Sequence, residues 1–202
     1  MKKLFFIPFI IFFAVAPCVA QKTIKEALQG KKLTFLGLDL TQSRFVDQLG
    51  FKDPAAIQSG IMTQWNAILV NEPKKFSLQN VFKLPASQYA TKVDHHIALN
   101  NKGVVVSERI INDPYNITEE QVIKSVSRYD VEDEGIGVSF VVGSFNKPLQ
   151  KAVVWVTFID LKSNSVLLTK KMEGTPGGAG IRNFWANAMF SIIEKMEGQI
   201  SQ

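Results

Sequence analysis

The chain is nearly without cysteine: among its 202 residues only Cys18 carries a thiol. It falls within the first twenty residues, and a mature chain beginning after them has none. That excludes disulfides, thiolate metal sites and a cysteine nucleophile. Histidine is almost as scarce, with His95 and His96 the two present. Neither the Gly-x-Ser-x-Gly elbow of a serine hydrolase nor a Gly-Lys-Ser/Thr phosphate loop occurs in the sequence. The opening apolar run, Leu4 to Ala16, has 13 residues, short of the ~20 needed to span a membrane as a helix. No repeat, linker or low-complexity stretch divides the chain.

What is present begins with an export layout. Met1-Lys2-Lys3 is basic, Leu4 to Ala16 is apolar, and Pro17-Cys18-Val19-Ala20 ends on small residues, the three parts of a cleavable secretory signal over residues 1–20. The alternative is a lipoprotein in which Cys18 is acylated and retained, although Pro17 stands where a small flexible residue is usual before such a cysteine. Cleavage after Ala20 removes two lysines and no acid, so the 23 basic residues become 21 against 18 acidic ones and the net charge falls from +5 to +3. A small charge spread along the chain serves solubility and is not a nucleic-acid footprint. About 180 residues remain, enough for one core stable by burial alone.

The rest, residues 21–202, reads as a single α/β domain with α+β character. Leu33 to Leu40 is apolar on both faces and predicts a central strand. Thr41 to Lys52 reads as a loop or short helical turn. Asp53-Pro54 opens a helix whose Ile57, Ile61, Trp65, Ile68 and Leu69 share one face, ended by Glu72-Pro73. Ser77 caps a second, short helix over Leu78 to Leu84. Tyr89 to Leu99 alternates weakly and Val104 to Val106 is β-branched, predicting one or two strands separated at Asn100-Asn101-Lys102-Gly103. Thr118-Glu119-Glu120-Gln121 is a capping box before a helix of roughly three turns carrying Val122, Ile123, Val126 and Tyr129. Gly137 to Phe145, Ala152 to Leu161 and Val166 to Met172 predict strands joined by short turns, so a mixed sheet ends in an antiparallel meander. Ile181, Phe184, Trp185, Ala188, Met189, Ile192, Ile193 and Met196 form the apolar stripe of a long closing helix. About three helices in all are expected to pack the sheet.

Few local patterns carry chemistry. Gly174-Thr175-Pro176-Gly177-Gly178-Ala179-Gly180 sits between a strand and a helix start, where backbone amides can cradle an anion. Gly177, Gly178, Gly180, Arg182 and Asn183 are the residues to name if a ligand binds there. The plainer reading is that the glycines permit a sharp reversal and close packing of the last helix. Asp94-His95-His96 suggests a metal, but neighbours on a strand point to opposite faces, so no metal site is assigned and no cofactor is implied. Asp130, Glu132, Asp133 and Glu134 match no calcium loop and read as a solvated acidic segment. Asp39 and Asp47 are candidates for a carboxylate pair, or each caps a turn. Trp65, Trp155 and Trp185 all fall on apolar faces.

The ending WVTFIDLKSNSVLLTKKMEG followed by TPGGAGIRNFWANAMFSIIEKM resembles small exported bacterial cell-envelope α/β domains, similar in layout to the amino-terminal domain of the translocation protein TolB and to the anticodon-binding-like fold. The resemblance implies a periplasmic or secreted module without a catalytic element. The expected function is non-enzymatic binding or assembly, with an envelope protein or a cell-wall component as partner and with no nucleic acid. The alternative is a small periplasmic ligand-binding protein or hydrolase using the glycine-rich loop or a carboxylate site near Asp39.

Overall fold

The computed structural model describes residues 24–200, so the export leader and Cys18 lie outside the described residues. The chain forms an α/β structure around one seven-stranded sheet. Strand β1 (Leu33–Asp39) is buried along its whole length and pairs in parallel with β3 (Tyr89–Thr91) on one edge and β5 (Ile136–Asn146) on the other. Strand β2 (Arg44–Val46) continues along the same edge of β5 and pairs in parallel with β5 and β4 (Ile110–Ile111). Antiparallel pairing is confined to β5 with β6 (Lys151–Asp160) and β6 with β7 (Ser165–Gly174). The sheet is therefore mixed, with its front half parallel throughout.

Local chemistry accounts for most helix starts. The Asp53 carboxylate accepts from the Ala56 amide at 2.9 Å, and Pro54 opens α2 (Pro54–Ala56), which runs through a π-helical segment (Ile57–Ile61) into α3 (Met62–Asn71). Ser77 caps α4 (Leu78–Val81) through the Asn80 amide. Thr118 and Gln121 close the full capping box of α6 (Glu119–Val126). That helix has eight residues, nearer two turns than three, and Ile123 points outward at 45 % exposure while Val122 and Val126 are buried. A one-turn helix α1 (Ile24–Ala27) precedes the sheet.

Two stretches differ from the expectation. Only Tyr89–Thr91 of the weakly alternating region is a strand; Val93–Gly103 is a helix, α5, and the asparagines expected in a turn lie within it. Its buried Val93, His96 and Asn100 recur at helical spacing, which the eye takes for alternation because Asp94, His95 and Asn101 interrupt it. Val104 to Val106 is a connection running into a 3-10 turn (Val106–Arg109), and the strand comes later as β4. Thr41 to Lys52, expected as a loop or short helical turn, contains β2. The sheet thus carries one more substantial helix than the three expected.

The long closing helix α7 (Ile181–Gln199) lies with α3 and α4 over one face of the sheet. Its Trp185 and Ile192 are 1 % and 0 % exposed, inside a core that also holds Phe35, Phe45, Phe140 and Phe145. The Trp185 ring stacks on Phe51 at 5.7 Å and lies 4.8 Å from Phe145. On the opposite face, smaller clusters form from Leu36, Val126 and Tyr129 and from Ile117, Val122 and Val141. A β-bulge between Phe35 and Gly37 decides which side chains of β1 reach each face. Before it Phe35 pairs with Val138; after it Gly37 pairs with Ser139 and Asp39 with Val141. The extra residue shifts the alternation by one, which turns Asp39 toward the face that holds Tyr129 and Ser139.

Candidate functional site

The glycine-rich segment forms the connection between β7 and α7. Gly174 lets the two elements touch, since a Cβ there would stand 2.1 Å from the Ala188 carbonyl oxygen. The loop is tied back onto the helix: the Asn187 side-chain amide donates to the Gly177 carbonyl at 2.8 Å, and the Gly177 amide donates to the Phe184 carbonyl at 3.1 Å. Gly180 takes a φ of 76° at the helix start. Arg182 and Asn183 are exposed, and their side chains bond to each other at 3.0 Å. The Ile181 and Arg182 carbonyls accept from the Trp65 indole. Gly178 and Gly180 do edge a depression of about 290 Å³, which Lys147 also lines, its ammonium 3.4 Å from the centre of the Phe184 ring. Arg182 and Asn183 are not part of its lining.

Polar groups gather instead where β1 ends. Asp39 is fully buried, and its carboxylate accepts from the Thr41 amide at 2.8 Å, the Thr41 hydroxyl at 2.6 Å and the Tyr129 phenol at 2.6 Å. Behind it Tyr129 Oη lies 3.1 Å from Ser139 Oγ, Ser139 Oγ 2.7 Å from His96 Nε2, and His96 Nδ1 2.9 Å from His95 Nδ1. Each hydroxyl has one proton, which orders the chain. Tyr129 donates to Asp39, so Ser139 donates to Tyr129, His96 Nε2 donates to Ser139, and His95 Nδ1 donates to His96. On the outer side Thr41 donates to Asp39, Ser125 donates to Thr41 at 3.2 Å, and Arg128 donates to Ser125 at 3.1 Å. Two donor chains thus converge on one buried carboxylate.

Burial holds the His96 imidazole down to about 4, with the neighbouring His95 acting in the same direction and the Asp39 charge opposing. His95 is lowered by burial as well, and burial followed by the Asp39 charge raises the Tyr129 phenol well above its ordinary value. The neutral imidazole and un-ionised phenol are the forms the hydrogen-bond order requires. Ser139 has no exposed surface and receives a proton donor from His96, the reverse of what activates a serine nucleophile.

Two asparagines complete the strand end. Asn66 on α3 accepts from the Leu38 amide at 2.7 Å, and Asn100 on α5 accepts from the Leu40 amide and donates to the Leu38 carbonyl, both at 2.8 Å. Both are buried and supply what a neighbouring strand would otherwise give to backbone leaving the sheet.

Outside this polar core a cleft of about 460 Å³ opens. Thr41 and Gln42 line it from the β1–β2 connection, Leu99, Lys102 and Gly103 from the end of α5, Arg109 from the 3-10 turn, and Ser125 and Arg128 from the end of α6. It sits beyond the carboxyl end of a parallel strand, where open α/β sheets place their ligands. Of the candidates that the sequence singles out, Asp39 lies beneath the cleft, and His95 and His96 are joined to it through Ser139 and Tyr129. Asp47, with a φ of 96°, holds the Leu49 and Gly50 amides instead.

The histidine pair lies on the first turn of a helix rather than on a strand, so its imidazoles meet instead of diverging. Among the described residues no group of three His, Cys, Asp or Glu side chains is placed to hold a metal ion. In the acidic segment Asp133 receives Lys32 at 3.2 Å and Lys92 at 3.9 Å. No family model matches the chain, and comparison with curated proteins and with solved structures gives no match. Among the described residues no helix is long and apolar enough to cross a membrane.

Proposed function

We propose that this protein is an exported cell-envelope module that binds without catalysing, and that its partner or cell-wall component is received in the cleft at the end of β1. The observation that carries the reading is the division of labour at that point. The groups with nucleophilic or acid–base character, Asp39, Ser139 and His96, are sealed and mutually satisfied. The groups that face the opening, Lys102, Arg109 and Arg128, can attract and orient but do not bring a reacting pair together. Export and the layout shared with TolB-like envelope domains are parts of the same proposal, supported by the leader pattern of residues 1–20 and the strand-and-helix ending.

The absence of other cysteines makes a direct test simple. A Gln42→Cys variant of the chain from residue 21 carries one thiol, in the cleft; Glu194→Cys carries one on α7, over the other face. Each is labelled with a photo-crosslinker and irradiated in an envelope fraction. One adduct of defined mass from position 42 and none from position 194 is expected. Equal adducts from both positions, or none from the cleft, would defeat the proposal.

A further inference from the structure

We infer that the cleft takes a small organic oxyanion, a carboxylate or phosphate, carrying hydroxyl or amide donors beside the charge, as in an acidic sugar or a hydroxy acid. This rests on the reading of the cleft as a binding site and names what it binds. The charge balance gives the first half. Lys102, Arg109 and Arg128 line the opening, and among the described residues none of them makes a salt bridge within 4.0 Å. Arg44 adds a fourth cation whose charge acts on Arg109, its own guanidinium resting 4.8 Å from the Tyr115 ring.

Opposing groups are fewer. The ends of α5 and α6 each contribute roughly half a negative charge. Asp39 contributes one below the floor, already held by Tyr129 and Thr41, and Glu108 contributes one beside Arg109. The lining itself holds three cations, Lys102, Arg109 and Arg128, and no carboxylate, so a ligand anion meets attraction there and no competing acid. Helix-end neutralisation alone does not account for Arg109 or Arg44, which stand on neither helix. Guanidinium forks favour carboxylate and phosphate because both accept two parallel bonds.

The hydroxyls give the second half. Thr41 has committed its proton to Asp39 and Ser125 its proton to Thr41, and each already accepts one bond, from Ser125 and from Arg128, so the one lone pair left on each can only accept. They repel a bare oxyanion and accept from a ligand O–H or N–H. The volume of about 460 Å³ lies within the ~300–1,000 Å³ common to small-molecule sites.

Calorimetric titration of the chain from residue 21 with glucuronate, glucose 6-phosphate, glucose and inorganic phosphate separates the two sources of charge and both halves of the inference. Glucuronate or glucose 6-phosphate is expected to bind, more weakly as salt rises, with glucose and inorganic phosphate each weaker by tenfold or more. Arg109→Gln and Arg128→Gln should each weaken binding about tenfold or more, Arg109→Gln without lowering the melting temperature, and Lys102→Gln should weaken it less. Glucose binding as well as its acidic counterparts would overturn the charge requirement, and inorganic phosphate binding as well would overturn the donor requirement. If none of the four binds while the Gln42→Cys adduct forms, the oxyanion inference falls and the binding module stands; if the adduct is also missing, both fall.

Discussion

His96 is a buried imidazole that must stay neutral for the hydrogen-bond order around Asp39 to hold. Its folded-state value of about 4 lies below the ~6.5 of an exposed histidine, so on acidification the unfolded chain takes up the proton first. Stability is therefore full above pH 6.5 and is lost progressively as the pH falls from there through 4, on the order of 3 kcal/mol in all. His95, lowered in the same direction, steepens the loss. Urea unfolding between pH 7.5 and 4 should show this slope in the native chain and a much shallower one in His96→Gln; superimposable slopes would show that His96 is not the group responsible. Tyr129 and Ser139 carry no signal in the sequence, for the same reason that they matter. Asp39, His96 and the Tyr129–Ser139 pair stand far apart along the chain, and side chains that meet only through the folded sheet leave no spacing to recognise.

At the level of elements, the bulge in β1 determines whether there is a site. Gly37 has a φ of 96°, which side-chain-bearing residues rarely adopt, and a Cβ on it would stand 2.2 Å from the Asn66 amide oxygen. Gly37→Ala is expected to destabilise the fold by on the order of 3 kcal/mol, from backbone strain plus loss of the Asn66 bond to the Leu38 amide. Chemical denaturation measures it, and an unchanged midpoint would refute the account. The apolar stretch containing Leu36-Gly37-Leu38 announces a central strand but not its irregularity, because the bulge is stabilised by Asn66 on α3 and Asn100 on α5. Helix α5 imitates a strand in the sequence: the period of Val93, His96 and Asn100 is helical, but its buried positions are largely polar and hydrophobicity alone does not mark them.

At the scale of the molecule, α7 anchors the helices that cover one face of the sheet. Trp185, Ala188, Met189, Ile192, Ile193 and Met196 are all buried, a contribution on the order of 10 kcal/mol before conformational entropy is counted. That is comparable to the whole net stability of an ordinary domain, ~5–15 kcal/mol. A fragment ending at residue 183 should not fold; a soluble 21–183 fragment with a cooperative melting transition would contradict this. The glycine-rich loop before α7 takes its meaning at this scale, since Gly174 permits the approach of strand and helix that seats those side chains.

The amino-acid sequence alone determined the elements whose ends and faces are written locally. The Thr118–Gln121 capping box, the Asp53-Pro54 start, the Ser77 cap and the apolar stripe of α7 depend on residues within a few positions of one another, and short-range hydrogen bonding and periodicity suffice to specify them. Tertiary structure alone decided which face Asp39 joins, that residues 93–103 are helical, and that Arg109 and Arg128 come to share an opening with Thr41. Those outcomes depend on a one-residue slip in a strand and on bonds between distant segments, and such energies exist only once the chain has closed on itself.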